Sequence, residues 1–267
     1  MSGGGGLVML NWLYNVADQQ RSIATVSVNS NAILNGLTKE KNVNFDLEKF
    51  NWLFSTEDGE NNAFVLWANT KRGLVSIEQM LETNDFIIGN QDTGENNFQI
   101  KILQDILKVK SRIVFGYKNP NQALLNNEID ARLGTLIGVK VLNPSWLDKN
   151  NTEFVGLIQI GRKTRHRSIQ HVPNIYEFVS DDFHRTILSF YDKQVKLARV
   201  FVAPPKMEKE TVLMFVNAAK QLEKDKQYLE EAEKLRIGID FIDYEQVNSL
   251  IKDIINVDRK ILEYIKN

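Results

Sequence analysis

Val114–Thr135 reads VFGYKNPNQALLNNEIDARLGT. A β-rich run, Ile113–Phe115, gives way to the turn Gly116-Tyr117-Lys118-Asn119-Pro120-Asn121. A short helix, Gln122–Asn127, and a second strand, Ile129–Leu133, are predicted to follow. Strand, turn, helix, strand is the building unit of α/β folds. The same order recurs upstream. Strand Phe86–Ile88 leads through Gly89-Asn90-Gln91-Asp92-Thr93-Gly94 into helix Glu95–Leu107, whose Phe98, Ile102, Leu103 and Ile106 share one face.

Working outward, Ser76 reads as the N-cap of a short helix, Ile77–Leu81. Earlier strands are predicted at Ile23–Val28, Trp52–Ser55 and Phe64–Trp67. At the start, the turn Ser2–Gly6 feeds an amphipathic helix, Leu7–Val16. Downstream come strand Phe154–Ile160, an aperiodic surface loop Gly161–Pro173, helix Phe183–Lys196 and strand Val200–Ala203, stopped by Pro204-Pro205. From Lys209 the pattern is helical, broken near Asp225, Gly238 and Asn256, with a last short strand at Ile239–Ile242. The alternation predicts an α/β fold with largely parallel sheets.

Composition narrows the function. The chain has 267 residues, 43% of them hydrophobic, which suits one large or two modest domains. With 33 basic against 34 acidic residues it has no global field for nucleic acid or an acidic membrane. The absence of cysteine excludes disulfides, thiolate nucleophiles and Cys-based metal sites. No apolar run is long enough to span a membrane. Leu7–Ala17 makes a poor signal peptide, because no Lys or Arg precedes it and Asn11 and Asn15 interrupt it. His166, His171 and His184 form no metal motif, and no nucleophile elbow is present. Asp181-Asp182 reads as a cap for the helix that follows. Arg162, Lys163, Arg165 and Arg167 lack interleaved aromatics and read as a solvated loop. Trp12, Trp52, Trp67 and Trp146 read as packing residues.

What remains is three turns, each leading into a helix: Ser2–Gly6, Gly89–Gly94 and Gly116–Asn121. A helix N-terminus presents unpaired N–H groups and a partial positive charge, and glycine lets the backbone approach a ligand closely. Several such turns at the carboxyl ends of strands make an anion site. Asn90, Thr93, Asn119 and Asn121 add side-chain donors. Taken singly, each is also an ordinary βα turn. Neither the P-loop pattern nor the dinucleotide fingerprint is met, so no cofactor is expected.

The order of these pieces resembles the extracytoplasmic solute-binding receptors of tripartite tricarboxylate transporters, the Bug-type family. SGGGGLVMLNWLYNV (Ser2–Val16) resembles the family's Gly-rich turn and helix, and FDLEKFNWLFS (Phe45–Ser55) a Phe-Asp-Pro stretch of one branch. Ile88–Asn97 resembles its second-lobe turn. Val114–Thr135 resembles its Gly-Tyr … Gly-Glu-x-Asp segment, Gln170–Phe178 its Leu-Pro-Asp-Val-Pro stretch, and RVFVAPPK (Arg199–Lys206) its Arg-Pro-Phe-Val-Ala-Pro-Pro-Gly.

The resemblance implies a two-lobed, periplasmic-binding-protein-like fold, each lobe a mostly parallel sheet flanked by helices. Crossovers near residues 83–86 and 198–203 would assign 1–84 and 201–267 to lobe one and 85–200 to lobe two. Lobe one would lack its first βα unit, which in the family follows a signal peptide. The resemblance carries ligand contacts to Gly4, Gly5, Asn90, Thr93, Gly94, Asn119 and Asn121. Arg132, with Gly134, matches an Arg-x-Gly of one branch and either pairs with a solute carboxylate or braces the hinge. Two departures bear on the anion: Asn119-Pro120-Asn121 replaces Pro-Gly-Ser, and Asp92 adds a negative charge to the second turn. The expected activity is non-catalytic capture of a small organic carboxylate in the periplasm for delivery to permease subunits in the membrane. The expected protein binds no metal or nucleic acid and does not itself insert into the membrane. The alternatives are a cytoplasmic sensor domain of similar shape, an α/β enzyme, or a degenerate receptor that no longer binds.

Overall fold

The computed structural model describes residues 6–26, 31–56, 63–90, 98–148, 150–197, 199–235 and 239–266. In chain order these form α1 (Leu7–Asn15), β1 (Ala24–Val26), α2 (Asn31–Thr38), β2 (Asn51–Ser55), β3 (Phe64–Asn69), α3 (Ile77–Glu82), β4 (Phe86–Gly89) and α4 (Phe98–Leu107). There follow β5 (Ser111–Val114), α5 (Pro120–Leu125), β6 (Ala131–Thr135), α6 (Leu136–Leu142), β7 (Phe154–Ile160), α7 (Asp182–Lys196) and β8 (Val200–Ala203). Four helices end the chain: α8 (Lys209–Leu222), α9 (Lys226–Lys234), α10 (Tyr244–Ile255) and α11 (Arg259–Lys266).

The chain divides into two compact units, Met1–Asn61 with Phe190–Asn267, and Asn62–Ser189. The first crossover therefore falls ahead of β3 and not at 83–86. The reason is pairing: β3 lies between β6 and β7 and bonds to both, so it and α3 belong to the second unit. The return falls inside α7, a single unbroken helix whose second half buries Tyr191, Val195 and Gln194.

The α/β class holds, but the strand directions are mixed. The first unit's sheet has the order β1-β8-β2, with both neighbours antiparallel to β8. The second has the order β5-β4-β6-β3-β7, parallel at β5-β4-β6 and antiparallel on both sides of β3. The predicted strand Ile239–Ile242 reduces to one bridge, Ser55 with Ile242. Ile242 N and O both bond to Ser55, and the chain then turns into α10, which Asp243 caps.

Each unit has its own core. In the first, Leu53, Phe54, Val212, Val216 and Met207 pack together, with Phe54 stacked on Phe201 at 4.5 Å. In the second, Val65, Trp67, Leu124, Ile129, Val139, Trp146 and Phe154 fill the space under α5 and α6. Trp67, Trp52 and Trp146 are buried, as packing residues should be, while Trp12 is 37% exposed. Asp181 accepts from His184 N at 2.9 Å, the capping role expected of the Asp181-Asp182 pair.

The basic stretch 161–173 is more ordered than a solvated loop. Buried Gln159 accepts from His166 N at 2.7 Å and donates to Val172 O at 2.7 Å. Arg165 forms a two-pronged ion pair with Glu177 at 2.7 and 2.6 Å, and Glu177 also accepts from Asn174 N. The Arg165 guanidinium holds the Glu177 carboxyl below its usual range, helped by the Asn174 amide. A depressed carboxylate stabilises the fold above its unfolded pKa and loses that contribution as pH falls through its folded value. The pair is half exposed, so its worth is small. Glu177→Gln is expected to cost about 1 kcal/mol at neutral pH and nothing below the folded pKa, which urea titrations at the two pH values will check.

Candidate carboxylate site

β4 runs parallel to both β5 and β6, so the carboxyl ends of these strands lie at one end of the second unit's sheet. Gly89 stands beside Val114 on one side and Arg132 on the other. Asn90 follows directly. Its N–H donates to Val114 O at 2.9 Å, and its carbonyl accepts from Tyr117 N at 3.2 Å. The second of these bonds needs a tight turn after β5, and Gly116 at φ 84° supplies it. Asn119 then caps α5, its Oδ1 accepting from Gln122 N at 3.2 Å. That oxygen is engaged in holding the helix.

Asn121 occupies the first turn of α5 and reaches β6. Its Oδ1 accepts from Arg132 Nη1, and its Nδ2 donates to Asn143 Oδ1 at 3.1 Å. A guanidinium only donates, so the Asn121 oxygen must face it and the amide nitrogen must turn to Asn143. Arg132 Nη2 donates to Leu133 O at 2.9 Å. The guanidinium lies along its own strand over Gly134, where any Cβ would overlap it. This is the physical content of the Arg-x-Gly spacing: residues two apart on a strand share a face.

Arg132 is partly buried and, among the described residues, faces no carboxylate. Its Nε is sealed from solvent without an acceptor. Burial pushes the guanidinium pKa down to about 10, which leaves it charged at neutral pH. A buried cation without a counter-ion is costly, and an anion brought to it relieves that cost. The nearby acid that might have paired with it is committed elsewhere. Asp130 is buried, binds Arg72 Nε through Oδ1 and accepts from Ile87 N through Oδ2 at 2.7 Å.

Of the residues expected from sequence, Asn90, Asn119, Asn121 and Arg132 belong to this one unit. Asn121 and Arg132 bond directly. Gly4, Gly5, Thr93 and Gly94, together with Asp92, lie outside the described residues. Asn143, which fixes the Asn121 amide, was not foreseen, because no local signal ties the end of α6 to α5. A surface cavity of about 560 Å³ also lies in this unit, lined by Ser76, Glu78, Trp146, Phe154, His171 and neighbours, but none of the expected residues lines it. Among the described residues, no His, Asp and Glu side chains gather as a metal site, and no helix is long and apolar enough to cross a membrane.

No family model matches the sequence, and no curated protein does. Solved structures do. The chain is similar to the periplasmic binding protein BugD, with 14% identity, a TM-score of 0.69 and 99% of this chain aligned to 83% of that one. It is similar to a Rhodopseudomonas palustris protein solved with adipate, at 11% identity, a TM-score of 0.68 and coverage of 100% and 85%. It is also similar to MatC from Rhodopseudomonas palustris with bound malate, at 13% identity, a TM-score of 0.66 and coverage of 99% and 86%. A TctC solute-binding protein from Polaromonas aligns at 13% identity with a TM-score of 0.63. The fold of this chain is that of the TctC and Bug-type periplasmic solute-binding proteins.

Proposed function

We propose that this protein is a periplasmic receptor that captures a small organic carboxylate without chemical change and delivers it to permease subunits in the membrane. The observation that carries the reading is Arg132, a partly buried guanidinium with no acidic partner among the described residues, held by Asn121 beside Gly89 at the carboxyl end of β4. Asn90 and Asn119 flank it on the neighbouring turns, and Gly4, Gly5, Thr93 and Gly94 are proposed as further contacts. Two structural relatives carry dicarboxylates, malate and adipate. Open α/β sheets bind ligands at the carboxyl ends of their strands, and the positions of Asn90 after β4 and of Arg132 beside Gly89 support the reading.

A thermal-shift screen with di- and tricarboxylates tests the reading. A ligand at about a hundred times its Kd stabilises by about 2.7 kcal/mol, which for a chain of this size is a rise in Tm of roughly 5–10 °C. No rise with any carboxylate, together with a rise for a neutral or cationic solute, rejects it.

A further inference from the structure

Arg132 Nε is not alone among the described residues in lacking an acceptor. Trp67 stands directly opposite it in the antiparallel β3–β6 ladder, so the two side chains rise from one face of the sheet. The Trp67 Nε1–H is sealed from solvent and has no hydrogen-bond partner among the described residues. The Cζ3 edge of the indole lies over Gly156 on β7, 3.6 Å from where a Cβ would be, and Nε1 stands on the opposite edge of the ring. Indole nitrogen and guanidinium are both donors only. The other buried tryptophan for which a bond is recorded, Trp52, does satisfy its N–H, on Leu47 O at 3.0 Å.

Two buried donor nitrogens on one face of the sheet, Trp67 Nε1 and Arg132 Nε, neither with an acceptor among the described residues, define the chemistry of what fits there. A water molecule or an amide oxygen can also accept, but neither brings charge. A carboxylate brings only lone pairs, and it brings the charge that Arg132 lacks. We propose that Trp67 and Arg132 form a paired oxyanion clamp, in which one carboxylate of the solute lies against the guanidinium and accepts from Trp67 Nε1–H. This rests on the reading of Arg132 as the solute contact and adds to it a second donor and a rule of selectivity: carboxylates are preferred to their uncharged primary amides. Both nitrogens are shielded from water, so the carboxylate reaches them only as the surrounding side chains part. Asn143 and Asn121 act as positioning residues that hold the guanidinium while this happens.

The test uses the full chain labelled with ¹⁵N at its indole nitrogens, titrated with acetate, malate and adipate. Trp67→Phe, which keeps an aromatic ring packed near Trp146, identifies the Trp67 resonance by its loss. The Trp67 signal is expected to move along a saturating curve with a carboxylate and to stay still with malamide. Trp67→Phe is expected to weaken malate or adipate binding by calorimetry about 10–100-fold, the range for a hydrogen bond to a charged group. If malate or adipate binds while the Trp67 signal stays still and Trp67→Phe binds like the wild type, the clamp is wrong and the receptor reading stands. If acetate moves the signal but neither dicarboxylate binds, the clamp stands and the receptor reading for such solutes fails. A signal unmoved by all three anions rejects the clamp.

Discussion

Arg132→Met is expected to weaken carboxylate binding by about two to three orders of magnitude, equivalent to the 2–5 kcal/mol typical of truncating a buried charged contact. The same change is expected to leave the unliganded protein as stable as before, or to stabilise it by about 1–2 kcal/mol. The two effects share one cause. In the free protein the guanidinium is partly buried, has an orphan Nε and faces no acid among the described residues, so removing the charge relieves desolvation. Met fills a similar volume and adapts to irregular surroundings. The gain is limited because Asn121 Oδ1 loses its donor. Calorimetric titration and thermal melts on the same samples read both effects. An Arg132 that only braces the structure predicts the reverse: unchanged affinity and a lower Tm.

The largest stability effect is expected one residue earlier. Asp130 joins three strands. Its backbone N–H donates to Ile87 O, its Oδ2 accepts from Ile87 N, and its carbonyl accepts from Asn69 N at 3.1 Å. Its other carboxylate oxygen binds Arg72. Asp130→Ala leaves the partly buried Ile87 N–H without its acceptor and Arg72 without its counter-ion. About 3 kcal/mol of stability is expected to be lost, most of it from the orphaned buried groups. Asp130→Asn keeps an acceptor for Ile87 and is expected to lose roughly half as much. Urea midpoints at constant m-value check both. A loss under about 1 kcal/mol for Asp130→Ala would mean that backbone pairing alone fixes β4 against β6.

Much of this architecture was legible because strong local signals agreed with the tertiary outcome. β7 and β8 fall at Phe154–Ile160 and Val200–Ala203 as predicted, each an apolar run bounded by turn residues. Where local signal was weak, elements were missed. α2 contains Asn31, Asn35 and Gly36, poor helix formers, and is held by packing: a Cβ at Gly36 would come within 2.9 Å of Leu47 and Phe45. α6 begins immediately after β6 with the sequence LIGVKVL, whose β-branched residues read as strand; it turns helical because Thr135 caps it, accepting from Gly138 N at 3.0 Å. The site divides in the same way. Asn90, Asn119 and Asn121 stand out in sequence because they sit in turns. The pairing of Trp67 with Arg132 depends on strand register across 64 intervening positions, and nothing local encodes it.

The first unit's sheet has one further consequence, for synthesis. Its middle strand, β8, is made last, and the two strands it joins, β1 and β2, are made first. On a ribosome the second unit is contiguous, from Asn62 to Ser189, and can close as soon as it has emerged. The first unit cannot. Until residue 203 leaves the exit tunnel, β1 and β2 have no shared neighbour, and α8, α10 and α11, which pack against β2 and α2, do not yet exist. The nascent chain thus carries a folded second unit while strand edges and apolar faces of the first stand unmet, which any holding chaperone could recognise until β8 and the helices after it have emerged.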